Sequence, residues 1–394
     1  MMRKVLISLL CAVALASCSK DFPPDTAKME ISVFIPGTPE SKADNGAVLS
    51  AYANENHISS LKIWVFYDTA FAGHAAGERM AYLEPDASGL KYGYENRFYV
   101  EISVELAKAI AEAQTKPNVV VFALANAEAA GLSVNADSSI NDLKNLNITG
   151  ENFGFAYDSS AACYVPAAQT VPAGGLPFSG VKRRALSGNY PVLRIDKVEL
   201  KRCVSKILFV FSQLEDQSGE GYTEFKLLEL SLDSGNNATD TETDSGIIFV
   251  TERVFTGDVQ GSQAKNYVQH TLNFVPDPLL FPTVNHCKNP SSYAFESGSA
   301  QDYQDLIYSG IEKNELTPWG LCYLRETASH RKITGHIKWQ AGTNTPVTRT
   351  FTIPTGDFVR NRSVIIYAYF VRDEIRFSAG WTDWAPGHDY NLTD

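Results

Sequence analysis

Four groups of residues have side chains and spacings that could do chemistry. Cys18 stands directly behind a short apolar run, in "LISLLCAVALASCSKDF", where its thiol is placed for covalent modification rather than packing. Asp240, Glu242 and Asp244 alternate along an acidic stretch, as ligands do at the start of a calcium loop. The glycine there, Gly246, falls one position late and no Glu occupies the twelfth place, so a solvated loop is the expected reading. His330 and His336, six residues apart on expected strands, are read as exposed polar residues rather than metal ligands. Trp339, Trp381 and Trp384 offer either a platform for stacking sugars or ordinary strand packing. The chain has no GxSxG elbow, phosphate-cradling GxxxxGK[ST] loop, HExxH or GxGxxG, and no carboxylate pair stands out as a glycosidase pair. No catalytic residue, metal site or cofactor is therefore assigned, and an enzyme is not expected.

Arg3 and Lys4 precede an apolar core, Val5 to Ala16, that is too short to span a bilayer. Leu15-Ala16-Ser17-Cys18 then closes it with small residues. That order is a secretory signal over 1–17, and Leu-Ala-Ser-Cys resembles the bacterial lipobox, in which the cysteine becomes the acylated first residue of the mature protein. Each buried methylene of such chains adds ~0.8 kcal/mol of membrane affinity. Lys20-Asp21, next to the lipid, resembles the signal by which Bacteroidota send lipoproteins to the outer leaflet of the outer membrane. Residues 18–28, with Pro23 and Pro24, read as a lipidated tether.

The remaining elements must hold whatever this anchor fastens. The chain has 394 residues, enough for two domains after the signal, and its aromatic content suits a folded β-rich protein. A net charge of −11 disfavours nucleic acid as a partner. Beyond Cys11 and Cys18, the cysteines Cys163, Cys203, Cys287 and Cys322 lie far apart with no CxxC pair; a disulfide and isolated buried thiols both fit. Met29, Ile31, Val33 and Ile35 alternate with Glu30, Ser32 and Phe34, the period of a half-buried strand. "SLKIWVFYD" and "NRFYVEISV" are further strands, and "NVVVFALAN", apolar on both faces, suits a central one. Helix is scarce. "VELAKAIAEAQ" puts Leu106, Ala109, Ile110 and Ala113 on one stripe, "SSINDLKNL" opens on a capping-box pair, Ser139 and Asp142, and "AQDYQDLIYSGI" is a third candidate. A Pro- and Gly-rich break, "VPAAQTVPAGGLPFSG", precedes a second set of strands. The expected fold is mainly β, two tandem β-sandwiches with a few short helices, divided into 29–190 and 191–394.

In dispersed pieces over most of the mature chain, the sequence resembles the fimbrillin superfamily of Bacteroidales, the subunits and anchors of type V pili. The pieces are "ISSLKIWVFYD", "NVVVFALANA" with "INDLKNL", "LPFSG", "VELKRCVSKILFVF" with Arg202, Ser205 and Lys206, "CYLRET", and "VRNRSVIIYAYF" with Arg360 and Asn361. The resemblance implies transthyretin-like sandwiches and subunits that join by strand donation, an extended strand of one completing a sheet of the next. It makes Met29, Ile31, Val33 and Ile35 a first strand that is either retained or exchanged. In shaft subunits an arginine-specific cut removes this strand. Here no arginine lies between Arg3 and Arg79, so the strand is expected to stay. The resemblance implies a lipid-anchored surface protein of a fimbrium, with other subunits and the outer membrane as partners. An anchor or assembly-terminating subunit is the first reading, a tip or adhesin-like subunit the next. A stand-alone glycan-binding lipoprotein, with exposed tryptophans such as Trp381 and Trp384, is the alternative from another class.

Overall fold

The computed structural model describes residues 26–35, 57–148, 155–158, 160, 163–166, 174–215, 224–232, 252–253, 271–274, 283–295, 300–324, 331–355, 361–371 and 374–383. The described residues are mainly β, with three short α-helices. Among them, four sheets account for all but one pair of strands.

The first sheet runs in the order β10 (Ser187–Asn189), β11 (Val192–Glu199), β1 (Ala27–Phe34), β4 (Glu95–Ile102). The second runs β12 (Lys201–Arg202), β9 (Phe178–Ala185), β5 (Asn118–Ala125), β2 (Leu61–Tyr67), β3 (Arg79–Leu83). β2 and nearly all of β5 are buried on both faces, which is why "NVVVFALA" carries no polar alternation. The third sheet is β17 (His286–Cys287), β13 (Ser205–Leu214), β21 (Arg362–Val371), β22 (Glu374–Asp383), with β18 (Thr317–Leu324) also on β13. The fourth is β20 (Val347–Thr355), β19 (Arg331–Ala341), β14 (Phe225–Leu232), β16 (Thr271–Phe274), β8 (Cys163–Pro166), β7 (Phe155–Asp158). β6 (Asn147–Ile148) pairs with β15 (Glu252–Arg253).

This pairing departs from the expected division at 190/191. β11 and β12 follow that point yet belong to the first two sheets, while β7 and β8 precede it and belong to the fourth. The physical reason is hydrogen bonding: β11 supplies the parallel neighbour of β1, and without it one edge of β1 would be unpaired. The passage between the two halves therefore falls between β12 and β13. The break at "VPAAQTVPAGGLPFSG" runs into β9, inside the first half.

Helix α1 (Val104–Glu112) starts on Ser103, whose side chain accepts from the Leu106 N–H. Its fully buried residues are Ala107 and Ile110, so the apolar stripe is rotated from the one expected and Leu106 lies at its margin. Helix α2 (Ile140–Lys144) has the expected reciprocal capping box between Ser139 and Asp142. Helix α3 (Ala300–Glu312) packs on β22. Among the described residues no helix is long and apolar enough to cross a membrane.

One continuous apolar core runs through both halves. At the junction Arg202 is fully buried. It lies over the Phe178 ring, 5.0 Å from its centroid, and donates to the side-chain oxygen of Asn361 at 2.8 Å. Asn361 has φ +60°, and its N–H reaches the Val204 carbonyl at 2.9 Å. The two residues thus tie the end of the first half to the start of β21.

Candidate functional site

The residues predicted as a first strand form the centre of a sheet. β1 runs parallel to β11 and antiparallel to β4, with bonds to both. At its ends the Lys28 N–H donates to Pro191 O (2.9 Å), the Ile35 N–H to Tyr94 O (3.3 Å), and the Leu200 N–H to Phe34 O (3.1 Å). Gly93 N–H donates to Ile35 O at 2.8 Å, which holds Ile35 in place one residue past the strand. β1 is therefore not an edge strand, and both of its backbone sides are occupied.

Met29, Ile31, Val33 and Ile35 are all completely buried on one face. Met29 stands between Leu193 and Val100 in register, Ile31 between Ile195 and Phe98, and Val33 between Val198 and Asn96. A fully buried side chain of this size contributes about 1.5–3 kcal/mol. Four of them amount to roughly 6–12 kcal/mol as an upper estimate, comparable with the whole stability of a domain. If β1 left, a channel with these apolar walls would open between β4 and β11, and the backbone groups of both that face it would lose their partners.

The opposite face departs from the half-buried expectation. Glu30 and Ser32 are also buried, at 7% and 6% exposure, because long side chains from the flanking strands cover them. Tyr99 on β4 donates its hydroxyl to Glu30 Oε2 at 2.9 Å. Arg97 on β4 and Arg194 on β11 each bring Nε to 3.9 Å from Glu30 Oε1. The bond to the Glu30 carboxylate, with a smaller contribution from burial, raises the Tyr99 pKa above the ordinary tyrosine value. Further along, Lys197 Nζ lies 4.2 Å from the Phe34 ring centroid. Arg97, Tyr99 and Arg194 were not picked out from the sequence. The available signal was that each falls on the polar positions of an alternating strand.

The other sequence candidates do not converge on a site. Cys18 and residues 19–25 of its expected tether, the acidic loop with Asp240, Glu242 and Asp244, His330 and Trp384 lie outside the described residues, while Ala27 and Lys28, expected in the tether, open β1. Trp339 is buried on β19 against Phe370, with ring centroids 5.5 Å apart, so it is not a sugar platform. Trp381 lies on β22. His336 is half-buried and paired with Glu229 at 3.0 Å. Among the described residues no group of three His, Cys, Asp or Glu side chains is placed to hold a metal ion. Cys203 and Cys287 are buried and in no disulfide; Cys163 and Cys322 fall on β8 and β18.

One buried polar residue has a clear architectural task. Asn126, at φ +59° and fully buried, accepts from the Ser59 N–H (2.8 Å) and donates to His57 O and Leu176 O, both at 2.7 Å. A Cβ on Gly175 (φ +94°) would sit 2.1 Å from His57 O, so this position admits only glycine.

No protein-family model matches the chain, and no curated protein does. Solved structures similar over most of its length include fimbrial and putative cell adhesion proteins of Bacteroidales. A fimbrial assembly protein from Parabacteroides distasonis is 13% identical, with 90% of this chain and 95% of that one covered and a TM-score of 0.42. The tip fimbrial protein Mfa3 from Porphyromonas gingivalis, truncated at its C-terminus, is 13% identical over 91% of this chain and all of the other, with a TM-score of 0.42. The fimbrial anchor protein Mfa2 of the same organism is 9% identical over 91% and 99%, with a TM-score of 0.36.

Proposed function

We propose that this chain is a structural, non-catalytic subunit of a type V fimbrium, lipid-anchored through Cys18 to the outer membrane and displayed at the cell surface. Its role is that of an anchor or assembly-terminating piece. It joins one neighbouring subunit by β-strand addition, keeps its own first strand, and needs no cofactor. The observation that carries this reading is the seat of β1: a central strand, bonded on both sides, with four completely buried apolar side chains. A chain that holds such a strand and lacks an arginine to release it keeps the channel filled. Cys18 then stays covalently joined to the folded body, which an anchor requires.

The test has two arms. Cells fed a labelled fatty acid should incorporate it into the wild-type chain and not into Cys18→Ala, which should be released into the medium. The intact lipoprotein, mixed with the donor-strand peptide of a shaft subunit, should not capture it. An unacylated mature chain, or capture of that peptide at the β1 channel of the intact protein, would overturn the proposal.

A further inference from the structure

The face of β1 that points away from the core carries a second level of information. Opposite Glu30 in register stand Tyr99 on β4 and Arg194 on β11, and Arg97 stands one pair further along, opposite Ser32. Both guanidinium groups are 3.9 Å from the same carboxylate oxygen, and the Tyr99 hydroxyl donates to the other at 2.9 Å. The arginines are more than half exposed, whereas the Glu30 side chain is at 10% exposure. Around the Glu30 position the flanking strands thus supply two positive charges and one hydroxyl donor, and the strand inside supplies the acid they face; two positions away Lys28 stands opposite Glu101 of β4. Directly opposed opposite charges on neighbouring strands are favourable, and like charges there are unfavourable.

We propose that Arg97, Arg194 and Tyr99 key the channel between β4 and β11 to a strand that bears a carboxylate at the Glu30 position. The apolar face asks only for alternating residues of suitable size, a demand that many extended strands meet. The outer face adds a condition that most of them fail. The occupant it fits is an extended segment with apolar residues at the Met29, Ile31, Val33 and Ile35 positions and an acid between the first two. The chain's own first strand meets both conditions. An incoming strand with a neutral or basic residue there leaves the arginines without their anion or sets a third cation beside them. This inference rests on the reading of β1 as a retained strand and supplies its chemical selectivity.

The experiment uses the full chain with a protease site introduced between residues 36 and 56, cut after folding. Labelled peptides of residues 26–35, native and Glu30→Lys, then compete for the body. Two exposed charge pairs at this distance predict about a tenfold advantage for the native peptide. A body carrying Arg97→Glu and Arg194→Glu should reverse the order. Equal capture of the two peptides, or an order unchanged by the reversed body, overturns the inference. A folded, cut body that captures neither peptide also overturns it. Should the uncut chain take up a shaft donor strand, the retention reading fails, while the native-to-lysine ratio still decides the charge key. In the uncut protein, Glu30→Lys should lower the denaturant midpoint and the two Arg→Glu changes should restore it; no restoration counts against the key.

Discussion

The first strands of the two halves occupy the same kind of place. β1 lies between a parallel neighbour, β11, and an antiparallel one, β4; β13 lies between parallel β21 and antiparallel β18. Each parallel partner comes from late in its half. The strands differ in what they bury. β13 carries Ile207, Leu208, Phe209, Val210 and Phe211, apolar on both faces along this central run, with buried Lys206, Ser212 and Gln213 at its ends. β1 is apolar on one face and carries Glu30 and Ser32 on the other. They also differ in how they are tied. β13 follows directly from Arg202, whose buried guanidinium bonds to Asn361 at the start of β21. β1 is held at its C-terminal end by two bonds to Ile35 and one to Phe34. The same geometry therefore serves two ends. Where the middle of the strand is apolar on both faces and the strand is clamped by its own chain, it is core. Where it is polar on one face and lies near the start of the chain, it is a strand whose identity can be checked.

The sharpest way to break this comparison is to cut a hole in each strand. Phe209→Ala removes a completely buried ring stacked with Phe211 and tilted on Phe351, and should cost about 3–5 kcal/mol. Ile31→Ala should cost about 2–4 kcal/mol. The distinguishing result is where the damage appears. Phe209→Ala should lower the denaturant midpoint of the whole chain. Ile31→Ala should make residues 26–35 susceptible to proteolysis at concentrations of denaturant where β13 stays protected against hydrogen exchange. Equal spread from both sites would mean that β1 is as integral as β13.

Arg202 tests the tie between the halves. Arg202→Ala removes a charged hydrogen bond to Asn361 and the guanidinium packed over Phe178, at a cost of about 2–3 kcal/mol. Because the bond to Asn361 links β12 to the start of β21, the variant should turn a single unfolding transition into two. A single transition with a merely lowered midpoint would show that the shared core alone couples the halves.

Much of this was legible from local pattern. The period of two in β1, the unbroken apolar run of β5 and the Ser139–Asp142 capping box each state their local structure within a few residues. Partnership was not legible. Nothing in "VLRIDKVE" says that it lies parallel to a strand at the other end of its half, so the boundary at 190/191 fell on the wrong side of β11. Arg202 and Asn361 each lie in a segment that carries the family resemblance, yet their bond spans 159 residues and no spacing rule reaches that far. The burial of Glu30 was missed for a similar reason. Alternation places it on the polar face, but the cover comes from Arg97, Tyr99 and Arg194 on two other strands.

The smallest expected effect concerns the tyrosines beside the two strands. Tyr99, more than half exposed on β4, has its pKa raised by donating to Glu30; Tyr367, buried on β21, has its pKa raised by burial. A phenol that is harder to ionise when folded contributes its full stabilisation below the ordinary value of 10.0 and loses it as pH rises through the raised value. An ionised Tyr99 would then face the Glu30 carboxylate as a like charge. Raising the pH above about 10 should loosen β1 in the wild type and less so in Tyr99→Phe. Urea midpoints at pH 8 and about pH 10.5 would show it, as a larger loss in wild type than in the variant. Tyr367→Phe should also shrink that loss, since its buried phenol stays protonated in the folded chain where the unfolded chain ionises, but it should leave the loosening of residues 26–35 unchanged. If Tyr99→Phe loses as much as the wild type, the hydroxyl is a bystander at the Glu30 position and the two arginines alone set its preference.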